Sequence, residues 1–149
     1  MPRYSAAFDG FLEQAVGLPL WGSSRALNLQ MFLLGAVVRE DSGLGVVEKG
    51  EFALHVQCPW RLTGRASSII AGSDDRRDPA LKEILATRRP PRILAMKTDA
   101  LGGLSVRLDG SRILQVLPCT SESGEYWRFV KLHGTHAVVT DKRAYLSKP

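Results

Sequence analysis

Glu51-Phe52-Ala53-Leu54-His55-Val56-Gln57-Cys58-Pro59-Trp60-Arg61-Leu62 is the stretch on which the fold turns. Phe52, Leu54, Val56 and Cys58 recur with a period of two. They therefore point to one face of a strand, with Ala53, His55 and Gln57 on the other. Pro59 has no N–H to give to a ladder, which predicts a bulge, an edge or a change of direction. Trp60, Arg61 and Leu62 need not keep the same alternation.

Before this strand, Phe8, Phe11, Leu12, Ala15 and Val16 have the spacing of an amphipathic helix over Ser5 to Val16, weakened at Gly10 and stopped by Gly17. Leu18 to Ser24 reads as an apolar linker that packs on the core. Arg25 to Val38 fits both a strand and a helix. We read it as a strand, because the apolar run Met31 to Leu34 passes through Gly35 into the β-branched pair Val37-Val38 and a turn at Glu40 to Gly43. A short β segment at Leu44 to Val47 meets a turn at Lys49-Gly50.

After it, Ser67 to Ala71 is a short β run, and Ser73 to Asp78 is a polar loop. Asp78-Pro79 opens a helix, with Asp as the cap and Pro at the first helical position. Leu81, Ile84 and Leu85 form its buried stripe. Arg88 and Arg89 fall at the negative end of its dipole, and Pro90-Pro91 ends the element. The rest reads as hairpins built from Arg92 to Lys97, Leu104 to Leu108, Arg112 to Leu117, Tyr126 to Leu132 and His136 to Thr140. A two-residue loop at Gly110-Ser111 sets Leu108 opposite Ile113, whereas a three-residue loop sets Val106 opposite Leu114, and the sequence leaves this register open. The class is α+β, mostly antiparallel sheet, with an N-terminal helix and one short central helix. The expected organisation is one domain over residues 1–149.

With 149 residues, 44% of them hydrophobic and 23% charged, the chain is globular rather than disordered or collagen-like. Twenty Lys and Arg against fifteen Asp and Glu leave a formal charge of +5, which slightly favours acidic partners. Two cysteines, Cys58 and Cys119, do not make a disulfide framework. The N-terminal residues lack the apolar core of a secretory signal and no stretch has a membrane span's length, so a cytoplasmic location is expected.

The segment Leu54-His55-Val56-Gln57-Cys58-Pro59-Trp60-Arg61, with Leu18-Pro19-Leu20-Trp21 and Arg25 upstream and Trp127-Arg128-Phe129 downstream, resembles a family of small uncharacterised bacterial proteins. That resemblance implies a bacterial cytoplasmic origin and no activity, cofactor or catalytic residue. The element Glu125-Tyr126-Trp127 in a β-rich chain also resembles some immunity proteins of toxin systems, an architectural analogy.

Among candidate sites, Trp60-Arg61 and Trp127-Arg128 stand out because Trp and Arg are enriched at binding hot spots; the competing account is a core Trp with the neighbouring Arg on the opposite face. His55 with Cys58 could form an activated thiolate only if a bulge turned Cys58 round, since residues three apart in a strand lie on opposite faces. Cys119, His133 and His136 lack the spacing of a zinc finger, and no metal or other cofactor is expected. Asp74, Asp75 and Asp78 are followed or accompanied by Arg76-Arg77, which favours self-neutralisation in a loop. Gly-rich phosphate loops, Gly-x-Ser-x-Gly elbows and His-Glu-x-x-His helices do not occur in the sequence. The leading expectation is a non-enzymatic protein-binding module, of immunity or accessory type, using an exposed sheet face with the Trp-Arg pairs. The alternative is a small enzyme or ligand-binding domain with a pocket near His55, Gln57 and Trp60. A third reading, disfavoured by the scatter of the positive charge, is nucleic-acid binding through Arg76, Arg77, Arg88, Arg89 and Arg92. Self-association into a homodimer is compatible with the edges of an open sheet, and no membrane contact is expected.

Overall fold

A computed structural model of the chain describes residues 3–74 and 79–149. It is an α+β fold made of two antiparallel sheets and two short helices. Helix α1 (Ala6–Glu13) is capped by Ser5, whose hydroxyl accepts from the Phe8 N–H at 3.0 Å. It is shorter than the periodicity predicts, and Ala15 and Val16 continue only as a turn before Gly17, whose φ is +87°.

The first sheet has six strands in the order β1-β2-β3-β9-β10-β11. These are β1 (Leu20–Ala26), β2 (Leu29–Asp41), β3 (Val46–Val56), β9 (Glu125–Lys131), β10 (His136–Thr140) and β11 (Ala144–Ser147). The second sheet has five, ordered β5-β4-β8-β7-β6: β5 (Ile69–Gly72), β4 (Trp60–Thr63), β8 (Arg112–Val116), β7 (Leu104–Leu108) and β6 (Ile93–Thr98). Pro59 marks the crossing between them. On one side of it the Gln57 N–H donates to the Tyr126 carbonyl of the first sheet at 2.8 Å. On the other, the Pro59 carbonyl accepts from the Leu117 N–H beside the second sheet at 2.8 Å. The expected change of direction is thus a change of sheet.

Inward side chains of both sheets and both helices form a contiguous core. Phe52 stacks on Phe129 with centroids 5.0 Å apart, Phe11 of α1 lies on both, and Trp60 meets Phe32 edge-on at 5.2 Å. Helix α2 (Pro79–Leu85) packs against β1 and β5, buries Leu81 and Leu85, and begins with Pro79 as expected. The capping role read for Asp78 lies outside the described residues, as do Asp75, Arg76 and Arg77. One inward position is polar: Gln30, 2% exposed in the row of Phe32 and Leu34, where neither amide atom has a partner among the described residues.

Two expectations change, one open register is settled and one strand is added. Leu18 to Ser24 is not a linker throughout, because Leu20 onward forms edge strand β1, whose pairing with β2 overrides the poor strand preference of Gly22, Ser23 and Ser24. Lys49-Gly50 is not a turn; β3 runs through it. A Cβ at Gly50 would sit 2.5 Å from the Phe52 carbonyl oxygen and 2.8 Å from that of Leu34, so the residue is glycine for close backbone approach. Beyond this point β2 and β3 pair only with each other, as a two-stranded ribbon whose tip holds the fully exposed Leu44. Strand β11 carries no sequence signal that we read. The hairpin at Asp109-Gly110-Ser111 has three loop residues: Leu108 pairs with Arg112 and Val106 with Leu114. None of the described helices is long and apolar enough to cross a membrane.

Candidate functional site

Strand β9 sends Trp127 and Phe129 into the core and Arg128 and Val130 to the outer face of the six-stranded sheet. Antiparallel pairing then sets His55 of β3 beside Arg128 on one flank and Val138 of β10 on the other. Glu125 joins the same face through a register shift. Val139 pairs with Trp127 but Thr140 with Glu125, so Tyr126 is an extra residue in β9. In a regular strand Glu125 and Arg128, three apart, would lie on opposite faces.

The outcome is a connected polar network. The Arg128 guanidinium donates to Glu125 through two nitrogens, Nε at 3.0 Å and Nη2 more closely, and its Nη1 donates to Nδ1 of His136 at 2.9 Å. Gln57 donates through Nε2 to the same carboxylate at 2.9 Å. Accepting at Nδ1 fixes His136 as the neutral tautomer with its proton on Nε2. Burial, together with the neighbouring Arg128 charge, holds the pKa of both His55 and His136 below the ordinary imidazole value. The hydrogen bonds that Arg128 donates to Glu125 push it the other way, further toward the charged form. At the outer end of the network Arg143 lies over the Tyr145 ring, 4.3 Å from its centroid.

Next to the network the same face is apolar. Met31, Leu33, Ala53, Val130 and Leu132 line a depression of about 250 Å³, with His55 at one end and Lys49 at the other. Lys49 donates to Glu40 at 3.1 Å, and His133 reaches the second oxygen of that carboxylate from the β9–β10 turn. The hydrogen bond from His133 is the largest reason that the Glu40 pKa is lowered.

The structure divides the sequence candidates. His55, Gln57 and Arg128 come together on this face, joined by Glu125 and by His136, which the sequence suggested only as part of a motif and as a metal ligand. Trp127 is 0% exposed and Trp60 is 3% exposed. Neither indole is available as contact surface, because the alternation that puts each arginine outside puts its tryptophan inside. A pocket shared by His55, Gln57 and Trp60 is ruled out by the same alternation, since Trp60 lies in the core. Arg61 faces outward from the other sheet, where its Nε donates to Gln115 at 2.8 Å.

Cys58 points inward, away from His55, and burial pushes its thiol pKa up to about 12, so it is a thiol rather than a thiolate at neutral pH. Cys119 is exposed, and His133 and His136 are engaged by Glu40 and Arg128, so these three do not converge. Arg88, Arg89 and Arg92 share one groove, described below, while Arg76 and Arg77 lie outside the described residues. Helix α2 ends at Leu85, three residues short of Arg88, so the two arginines do not serve its dipole as the sequence suggested. The Glu125 contact depends on a bulge and the His136 contact on the β9–β10 pairing, so no local signal reveals either. Compared with known families, curated proteins and solved structures, the chain matches none of them.

Proposed function

We propose that the protein is a non-enzymatic binding module that captures another protein on the outer face of its six-stranded sheet, in the manner of a cytoplasmic accessory or immunity-type protein. The observation that carries this is the apolar depression of Met31, Leu33, Ala53, Val130 and Leu132 set beside a self-satisfied polar network. An apolar patch with a polar rim is the anatomy of a recognition surface. Val47, two residues before Lys49 on β3 and half-exposed, extends the apolar row along the ribbon and enlarges the area available to a partner.

The occupant is an acidic segment that offers apolar side chains. Of the face's carboxylates, Glu125 is taken up by Arg128 and Gln57, Glu40 by Lys49 and His133, and Glu51 accepts from the Ala36 N–H, while Arg143 lies over the Tyr145 ring. The whole chain carries a formal charge of +5, which favours an acidic partner.

The test compares the tagged full chain with Ala53→Arg, which fills the depression without touching the core, in capture from a lysate of the source organism. An acidic protein held stoichiometrically by the wild-type chain and lost from a variant with an unchanged melting temperature supports the proposal. Capture indifferent to Ala53→Arg, or capture of a second copy of the same chain only, overturns it.

A further inference from the structure

On the opposite side of β2, two adjacent β-bulges build a groove of about 830 Å³. In β1 the register shifts between Leu20 and Gly22, leaving Trp21 as the extra residue; in β2 it shifts between Leu34 and Val37, with Gly35 at φ +82°. The two shifts are coupled. The Trp21 indole N–H donates to the Gly35 carbonyl at 3.0 Å, and the Gly35 N–H donates to the Pro19 carbonyl at 3.0 Å. A bulge re-aims one side chain out of the pleat, and here it turns a large aromatic, half-buried and fixed by its own hydrogen bond, into the groove.

The facing wall is the segment after α2. Pro90-Pro91 forbids helix and leaves it extended, laced to the chain before β1: Leu20 N–H donates to Pro91 O at 2.8 Å and Ile93 N–H to Leu18 O at 2.9 Å. Arg88, Arg89 and Arg92 line that wall, all exposed. Arg92 is steadied by donating to the Gly17 carbonyl at 2.7 Å, and among the described residues no carboxylate pairs with any of the three. Asp109 is the one carboxylate lining the groove among the described residues, so cationic charge predominates.

We infer that this groove binds single-stranded nucleic acid, with the three guanidinium groups on successive phosphates and a base stacked on Trp21. A fixed aromatic plate beside a row of guanidinium groups that no carboxylate among the described residues neutralises is what a flexible phosphodiester strand with unpaired bases requires, and a duplex has no free base face to offer the indole. The inference is independent of the sheet-face proposal, which uses other residues on another surface.

The test is fluorescence anisotropy of labelled oligothymidylate titrated with the full chain. Three released counterions on a single strand predict a log K against log salt slope of about −2. Arg88→Glu with Arg89→Glu should weaken binding at least tenfold, and Trp21→Ala, which leaves the charge unchanged, by about fivefold or more. The control is Arg61→Glu with Arg107→Glu on the outer face of the five-stranded sheet, an equal change in net charge. Equal loss from both double variants, equally tight binding of a duplex, equally good competition by polyglutamate, or no binding at low salt would each overturn the inference. A loss confined to the groove variants, seen with a single strand alone, supports it.

Discussion

Trp60-Arg61 and Trp127-Arg128 are the same dipeptide on two different sheets, and their fates diverge at the arginine. Both indoles are buried, one against Phe32 and the other against Phe8, as strand alternation at a two-sheet core demands. Arg61 on β4 makes a single side-chain hydrogen bond to Gln115 in an exposed setting. Arg128 on β9 is held by Glu125 and His136, with 31% of its side chain exposed and 17% of its carboxylate partner's. The contrast teaches that the local pattern decides which way a side chain points, whereas the neighbouring strands decide whether pointing outward means solvent or a network.

The sharpest way to break the parallel is at the tryptophans. Trp127→Ala should cost about 3–5 kcal/mol, read from urea denaturation, through the cavity it leaves. Trp60→Ala should cost somewhat less, because Trp127 also loses a 2.8 Å hydrogen bond from its indole N–H to the Gly102 carbonyl. A variant of either with wild-type stability would show that its indole is not in the core. The arginines should separate next. Arg128→Ala leaves Glu125 poorly solvated and should destabilise by about 1–3 kcal/mol, whereas Arg61→Ala should stay within about 0.5 kcal/mol. Equal effects in the same denaturation assay would show that the two arginines sit in equivalent settings.

A smaller effect of opposite sign is expected at Gln30, in the inner row that Trp60 packs against through Phe32. Gln30→Met keeps the volume and removes two buried polar atoms without partners, so the denaturation midpoint should rise, by about 1 kcal/mol in stability. The pH response should be the slightest. His55 and His136 titrate below the ordinary value of 6.5 in the folded protein, so just below that pH the unfolded chain binds protons that the native state refuses. Their contribution therefore makes stability rise with pH across the window below 6.5, and it is flat above it. Melting temperatures of the wild-type chain should fall on acidification through that window, and His55→Gln should flatten the fall. No histidine flanks Arg61 on the other sheet, where its strand partners are Gly72 and Gln115.

Legibility followed the range of the interaction. Period-two alternation identified the inward row Phe52, Leu54, Val56 and Cys58, and the proline after it marked the crossing to the second sheet. The Pro79 start is likewise local, and the first helix begins one residue after the Ser5 at which its periodicity placed it. Strand β1 was hidden because Gly22-Ser23-Ser24 has no strand preference of its own, and β11 because four residues at an edge carry too little pattern. The ribbon was misread at Lys49-Gly50 because a glycine needed for close approach looks the same in sequence as one needed for a turn.

By itself, then, the sequence determined the fold class, the antiparallel character and the inward or outward sense of the strand residues before Pro59. Each of those follows from backbone geometry over a few residues. The tertiary structure alone decided that Glu125, Arg128, His136 and Gln57 meet, that Met31, Leu33, Ala53, Val130 and Leu132 form one depression, and that Trp21 faces Arg88, Arg89 and Arg92. The physical reason is that each of these sites depends on strand register, and each of the two polar or charged ones on a bulge that reverses alternation. Register and bulges are set by pairing between segments far apart in the chain, which no local period encodes.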